Sequence, residues 1–124
     1  MRVNRIVANI QAPDVAAAKR FYEDALGLEV LMDLGWIVTY GSGEKALTQI
    51  SVMTQGGSGT PVPDLSIEVD DVDEALKRMK DGGFPIVYGP ADEPWGVRRF
   101  YVRDPFGKLV NIVAHASHEQ RDGG

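Results

Sequence analysis

The side chains able to do chemistry are few, and the missing ones narrow the choice first. The chain has no cysteine and two histidines. Thiolate nucleophiles, thiolate metal sites and disulfides are therefore excluded together, a usage that suits a reducing compartment. His115 and His118 stand at the C-terminal end, the expected place for solvated tail residues. With both there, no Ser/His/Asp triad is plausible. Asp64 and Glu68 fall four residues apart on one face of an expected strand, roughly 13 Å apart by strand rise, too far to share a proton. Arg98 is expected on that same side, paired with Asp64 or Glu68 or holding an anionic group of a ligand. Asn9, Gln49 and Asn111 add neutral polar groups. Trp36 and Tyr40, with Trp95 and Phe100, offer flat apolar walls, and tryptophan also offers a face for a cation. Core or dimer-interface positions would use the same residues. The glycine runs at Gly41 and Gly56 lack the strand-to-helix context and the lysine of a phosphate loop. No residue is assigned a catalytic role.

The elements that must position these groups are legible in the periodicity. Asn4 to Gln11 alternates as a strand and stops at Pro13. Asp14 caps a helix with Val15, Ala18, Tyr22 and Ala25 at helical spacing, closed by Gly27. Strands at Glu29 to Met32, Trp36 to Tyr40 and Ala46 to Met53 follow, with turns at Leu34-Gly35 and Gly41 to Gly43. Gln55 to Pro63 reads as a Gly/Pro-rich connector. The pattern then restarts. Leu65 to Val69 is a strand, and Asp71 caps a second helix, with Glu74 placed for a capping box and Gly82-Gly83 at the end. Ile86 to Tyr88, Val97 to Arg103 and Leu109 to His115 are three more strands, the last two joined by the Asp104-Pro105-Phe106-Gly107 turn. Asp14-Val15 thus recurs 57 residues on as Asp71-Val72, an internal repeat of strand-helix-strand-strand-strand. Ile6, Ala8 and Ile10, Leu65, Ile67 and Val69, and Val110, Ile112 and Ala114 are the expected helix-facing positions. The opposite face carries Asn9, Gln11, Gln49, Ser51, Asp64, Ser66, Glu68, Arg98, Phe100 and Asn111.

At 124 residues with 44% apolar content, the chain is sized for one globular domain with its own core. The expected layout is module one over about 4–54, a linker over 55–63, module two over about 64–115 and a polar tail over 116–124. The net charge of −5 comes without a basic patch, so nucleic acid is not an expected partner; an acidic surface mildly favours a cationic ligand. No apolar run reaches the roughly 20 residues that span a bilayer, and the N-terminus has no signal-peptide core. The expectation is a soluble, cytoplasmic protein.

Three segments, in order, resemble one family. Asp14 to Leu28 (DVAAAKRFYEDALGL) resembles the first helix of the vicinal oxygen chelate superfamily, the glyoxalase/bleomycin resistance/dioxygenase proteins. Glu68 to Gly83 resembles its second helix, and Pro94 to Val110 its last hairpin. The resemblance implies an α+β fold in which two tandem βαβββ modules form a cupped mixed sheet, with helices on the outer face. It also implies a small-molecule ligand and a homodimer.

Metal-dependent relatives hold a divalent ion with four inward side chains, usually histidine and glutamate. Carried over one at a time, those positions fall on Val7, Gln49, Asp64 and Asn111. Valine cannot coordinate, the two amides suit only a hard ion, and Asp64 alone is a good ligand. No metal and no other cofactor is therefore expected, the alternative being a divalent cation in an altered site. The sequence reads best as a metal-free binding protein, resembling the branch that sequesters antibiotics, with an aromatic or cationic ligand. The rival reading is a glyoxalase-like lyase or dioxygenase-like enzyme with that altered site.

Overall fold

The structure, a computed structural model, describes residues 1–42 and 48–115. The turn residue Gly43, the expected strand start at Ala46-Leu47, the tail over 116–124 and His118 lie outside the described residues. The chain divides into two compact units, Ile6–Asp64 and Met1–Arg5 with the chain from Leu65 onward. Each is a mixed sheet with helical structure on one face, so the fold is α+β and built twice from the same module.

In the first unit, β1 (Val3–Gln11), β2 (Glu29–Asp33), β3 (Ile37–Gly41) and β4 (Gln49–Met53) lie in the order β2-β3-β4-β1. β1 runs parallel to β4 and the other contacts are antiparallel. Between β1 and β2 the helix is not regular. A 3₁₀ turn over Val15–Ala18 runs into a π-wound stretch over Lys19–Ala25. The Asp14 carboxylate accepts from the Ala16 N–H at 2.9 Å, as a cap should. Val15 and Ala18 stand three apart, the spacing that eclipses in a 3₁₀ turn. With Tyr22 they pack on Val38, Tyr40 and Val52. Gly27, at φ 74°, supplies the left-handed residue that ends the helix.

This packing alters two expectations. Tyr40 is core beneath the helix, 2% exposed, and does not wall a pocket. Ile6, Ala8 and Ile10 have the expected orientation, since Ile10 pairs with core Val52, yet all three are exposed because the helix packs on β3 and β4 residues. The Gln55–Pro63 segment is also more than a slack connector. Gly56 N–H donates to Thr60 O at 2.8 Å and Thr60 N–H to Gly57 O at 3.0 Å. Gly56, Gly57, Thr60 and Pro63 are buried.

In the second unit, β5 (Leu65–Val69), β6 (Ile86–Glu93), β7 (Val97–Arg103) and β8 (Leu109–His115) lie in the order β5-β8-β7-β6, with β5 parallel to β8. Helix α1 (Val72–Asp81) starts where the Asp71 carboxylate accepts from the Glu74 N–H at 3.0 Å. Glu74 turns to Arg78, 3.0 Å away, so its side chain has a partner other than the cap backbone. Val72, Ala75, Leu76 and Met79 of α1 pack on Val69, Phe100, Val102, Val110, Ile112 and Ala114. β6 is longer than expected, because its pairing continues past Gly89-Pro90 through a register shift between Tyr88 and Ala91.

Candidate functional site

Directly opposed residues in a sheet share a face, so the strand registers of the second unit write out its surface away from α1. One row reads Ser66, Asn111, Tyr101, Tyr88; the next reads Glu68, Val113, Arg99, Ala91; the third reads His115, Val97, Glu93. The bulge at Gly89-Pro90 puts Tyr88 on this face together with Ala91 and Glu93, which simple alternation would forbid.

Two polar groupings stand on this face. In the first, Asn111 Nδ2 donates to Ser66 Oγ at 3.1 Å. Asn111 is only 8% exposed, and its Oδ1 has no hydrogen-bond partner among the described residues. A buried acceptor without a donor is uncommon. In the second, the Arg99 Nε donates to Glu93 Oε2 at 2.7 Å, and Nη1 donates to the Tyr101 hydroxyl at 3.0 Å. The Tyr88 hydroxyl donates to the same Glu93 oxygen at 2.8 Å. That bond, and burial after it, push the Tyr88 phenol above its ordinary range. Further along β5, Glu68 is ion-paired with Arg5 at 2.6 Å and lies 3.6 Å from His115 Nε2.

The sequence-predicted residues divide accordingly. Glu68 and Asn111 stand on the expected face. In the first unit Asn9 and Gln49 also lie on the face away from the helix, Gln49 opposite Val7 and Asn9 opposite Ser51. Asp64 is exposed just before β5, and its carbonyl accepts from the Asn9 N–H at 3.2 Å. Trp36 is half-buried just before β3. Trp95 sits in the β6–β7 turn with its ring 5.1 Å from the Arg99 guanidinium carbon.

Arg98 and Phe100 are corrections. Phe100 pairs with Ile112 and is fully buried in the core under α1. Arg98 bridges Asp73 of α1 at 3.0 Å and Asp92 at 3.2 Å, which raises its pKa chiefly through the Asp73 bond. It pairs with neither Asp64 nor Glu68 in these contacts. The residues facing away from α1 on β7 are Arg99 and Tyr101. Sequence reasoning missed these two together with Tyr88 and Glu93.

A family model for the Glyoxalase/Bleomycin resistance protein/Dioxygenase superfamily matches residues 2–112. The chain belongs to this superfamily. Among curated proteins none matches significantly. Solved structures with the same fold include one described as an NAD-dependent benzaldehyde dehydrogenase from Legionella pneumophila, at 18% identity and TM-score 0.71, covering 89% of this chain and 98% of that one. Another is a superfamily member from Vibrio splendidus 12B01, at 17% identity and TM-score 0.61, covering 91% and 98%. Methylmalonyl-CoA epimerase from Mycobacterium tuberculosis is similar at 18% identity and TM-score 0.63, covering 96% and 91%. At these identities the likeness is one of fold, and folds host many chemistries.

In this superfamily member the four positions carried over for a metal suit a transition metal poorly. Val7 has no donor atom, and Gln49 and Asn111 offer neutral amides. Asn111 is besides not the repeat counterpart of Gln49. The 57-residue shift maps Val7 and Asn9 onto Asp64 and Ser66; Asn9 pairs with Ser51 and Ser66 pairs with Asn111, so Ser51 is the counterpart of Asn111. Among the described residues no three His, Asp or Glu side chains are placed to hold an ion. None of the described helices is long and apolar enough to cross a membrane.

Proposed function

We propose that this superfamily member binds a small organic molecule on the second unit's sheet face through Asn111 and Ser66, and does so without a resident metal ion. The observation that carries the reading is the buried Asn111 amide with an oxygen left to accept a hydrogen bond. The fitting ligand group is an N–H or O–H donor. Pockets of this kind combine apolar walls with a few orienting polar groups, and the half-buried Val113 supplies apolar surface on the same face. Sequestration, as in the antibiotic-resistance branch of the superfamily, needs nothing more. The protein is expected to work as a homodimer in the cytoplasm, and light scattering in solution would check the mass.

The test is a fragment screen of small amides and alcohols by amide-proton NMR, on wild-type protein and Asn111→Leu. Binders are expected to move the Asn111 side-chain amide signals. The leucine variant, similar in volume, is expected to weaken them about tenfold or more, the worth of one lost buried hydrogen bond at ~1–3 kcal/mol. Binders that shift only residues elsewhere, with unchanged affinity in Asn111→Leu, would contradict the reading.

A further inference from the structure

The Arg99 surroundings have a composition that the ligand reading does not use. The guanidinium carbon lies 5.4 Å from the Tyr88 ring centroid, 5.1 Å from Trp95 and 5.0 Å from Tyr101. Glu93 receives its Nε at 2.7 Å and Tyr101 its Nη1 at 3.0 Å. Arg99 is 3% exposed and Glu93 8%. Three electron-rich faces and one carboxylate, all turned on a planar cation, are the elements by which proteins recognise guanidinium and alkylammonium ligands. Desolvation makes each contact count for more than it would at a surface.

We propose that Tyr88, Glu93, Trp95 and Tyr101 form a guanidinium-recognition site that the chain has filled with its own Arg99. Two consequences follow from the geometry. In the native protein this part of the face takes no external cation, because its carboxylate and rings are already engaged. The sequence-based expectation of a cationic ligand held by the aromatic side chains therefore does not extend to Trp95. Shortening the Arg99 side chain, conversely, uncovers a site matched to a free guanidinium. The proposal stands apart from the Asn111 reading, and either can fail alone.

Arg99→Ala tests it, melted with increasing methylguanidinium chloride and, in parallel, with methylurea and with sodium chloride. Methylurea has the same shape without the charge. The variant is expected to melt below wild type and to recover by about 5 °C at roughly ten times Kd, saturably, with methylguanidinium only. Wild type is expected not to respond, and Arg99→Ala with Glu93→Gln is expected to lose the recovery. If the variant is unfolded at room temperature, the same titration is read as return of native tryptophan fluorescence. No recovery in either readout, equal recovery with methylurea, or recovery that persists without the Glu93 carboxylate would overturn the proposal.

Discussion

Phe100→Ala is the substitution that separates the two ways of reading strand β7. A pocket wall could be trimmed with little loss of stability. A ring fully buried against α1 is expected to cost about 3–5 kcal/mol on removal, measured by urea unfolding. Tyr88 gives a second prediction at this scale. Its phenol is held above the ordinary range first by the bond to Glu93 and then by burial. The unfolded chain therefore loses this proton before the native one does. The stabilisation is full below about pH 10 and is lost as pH rises through the native value. Melting temperature followed from about pH 8 to about pH 11 should fall, and should fall less in Tyr88→Phe. Tyr40, raised mainly by its burial, contributes a drop of the same sign that the variant keeps. An identical pH profile for Tyr88→Phe would remove the Tyr88–Glu93 bond from the account. Residue by residue, Ser66, Glu68 and Asn111 were legible in the sequence because β5 and β8 alternate cleanly. Glu93 was not, because Gly89-Pro90 reads as the end of a strand and only the pairing shows that β6 continues.

At the scale of elements, β7 shows how one residue decides a face. Its sequence, VRRFYVR, places apolar side chains on both sides and fixes no parity by itself. Counted from a four-residue Asp104–Gly107 turn, Arg103 would pair with Lys108 and Phe100 would fall opposite Asn111. The observed loop includes Lys108, so Arg103 pairs with Leu109 and Phe100 with Ile112. A slip of one residue exchanges every side chain between faces, and so Arg98 and Phe100 change places with Arg99 and Tyr101. The Asp104 carboxylate holds this register, accepting from the Phe106 N–H at 2.8 Å and the Lys108 N–H at 2.9 Å. Asp104→Ala is expected to cost about 1–2 kcal/mol in denaturant unfolding. No loss would mean that the strands alone set the register. Gly89 fixes the opposite edge of the same grouping. It sits at φ 82°, and a Cβ there would lie 2.7 Å from the Arg99 carbonyl oxygen. Gly89→Ala is accordingly expected to lose about 1–3 kcal/mol and to disturb the Tyr88 and Arg99 signals in NMR. An alanine variant that melts like wild type would show that the bulge relaxes freely.

For the whole molecule, the internal repeat carried most of what the sequence could tell. The two aspartate caps, the glycine stops and the order of elements all stand as expected, because each rests on local backbone chemistry. What the repeat could not convey was burial. Ile6 and Ile10 look like core and are 56% and 39% exposed, because the irregular first helix packs on Val38, Tyr40 and Val52 instead. Nor could it convey which residues of β4 and β8 correspond, and that correspondence makes Ser51, not Gln49, the partner position of Asn111. Metal-free ligand binding is what is proposed for this superfamily member. Its most direct test is elemental analysis of the purified protein, followed by thermal shifts with nickel, zinc, manganese, iron(II) and magnesium, since any ion bound only by the native state must raise its stability. The expected result is no stoichiometric metal and no shift with any of the five. One ion bound stoichiometrically, and lost in Asp64→Ala, would contradict it and turn the search toward a metal-dependent lyase or dioxygenase activity.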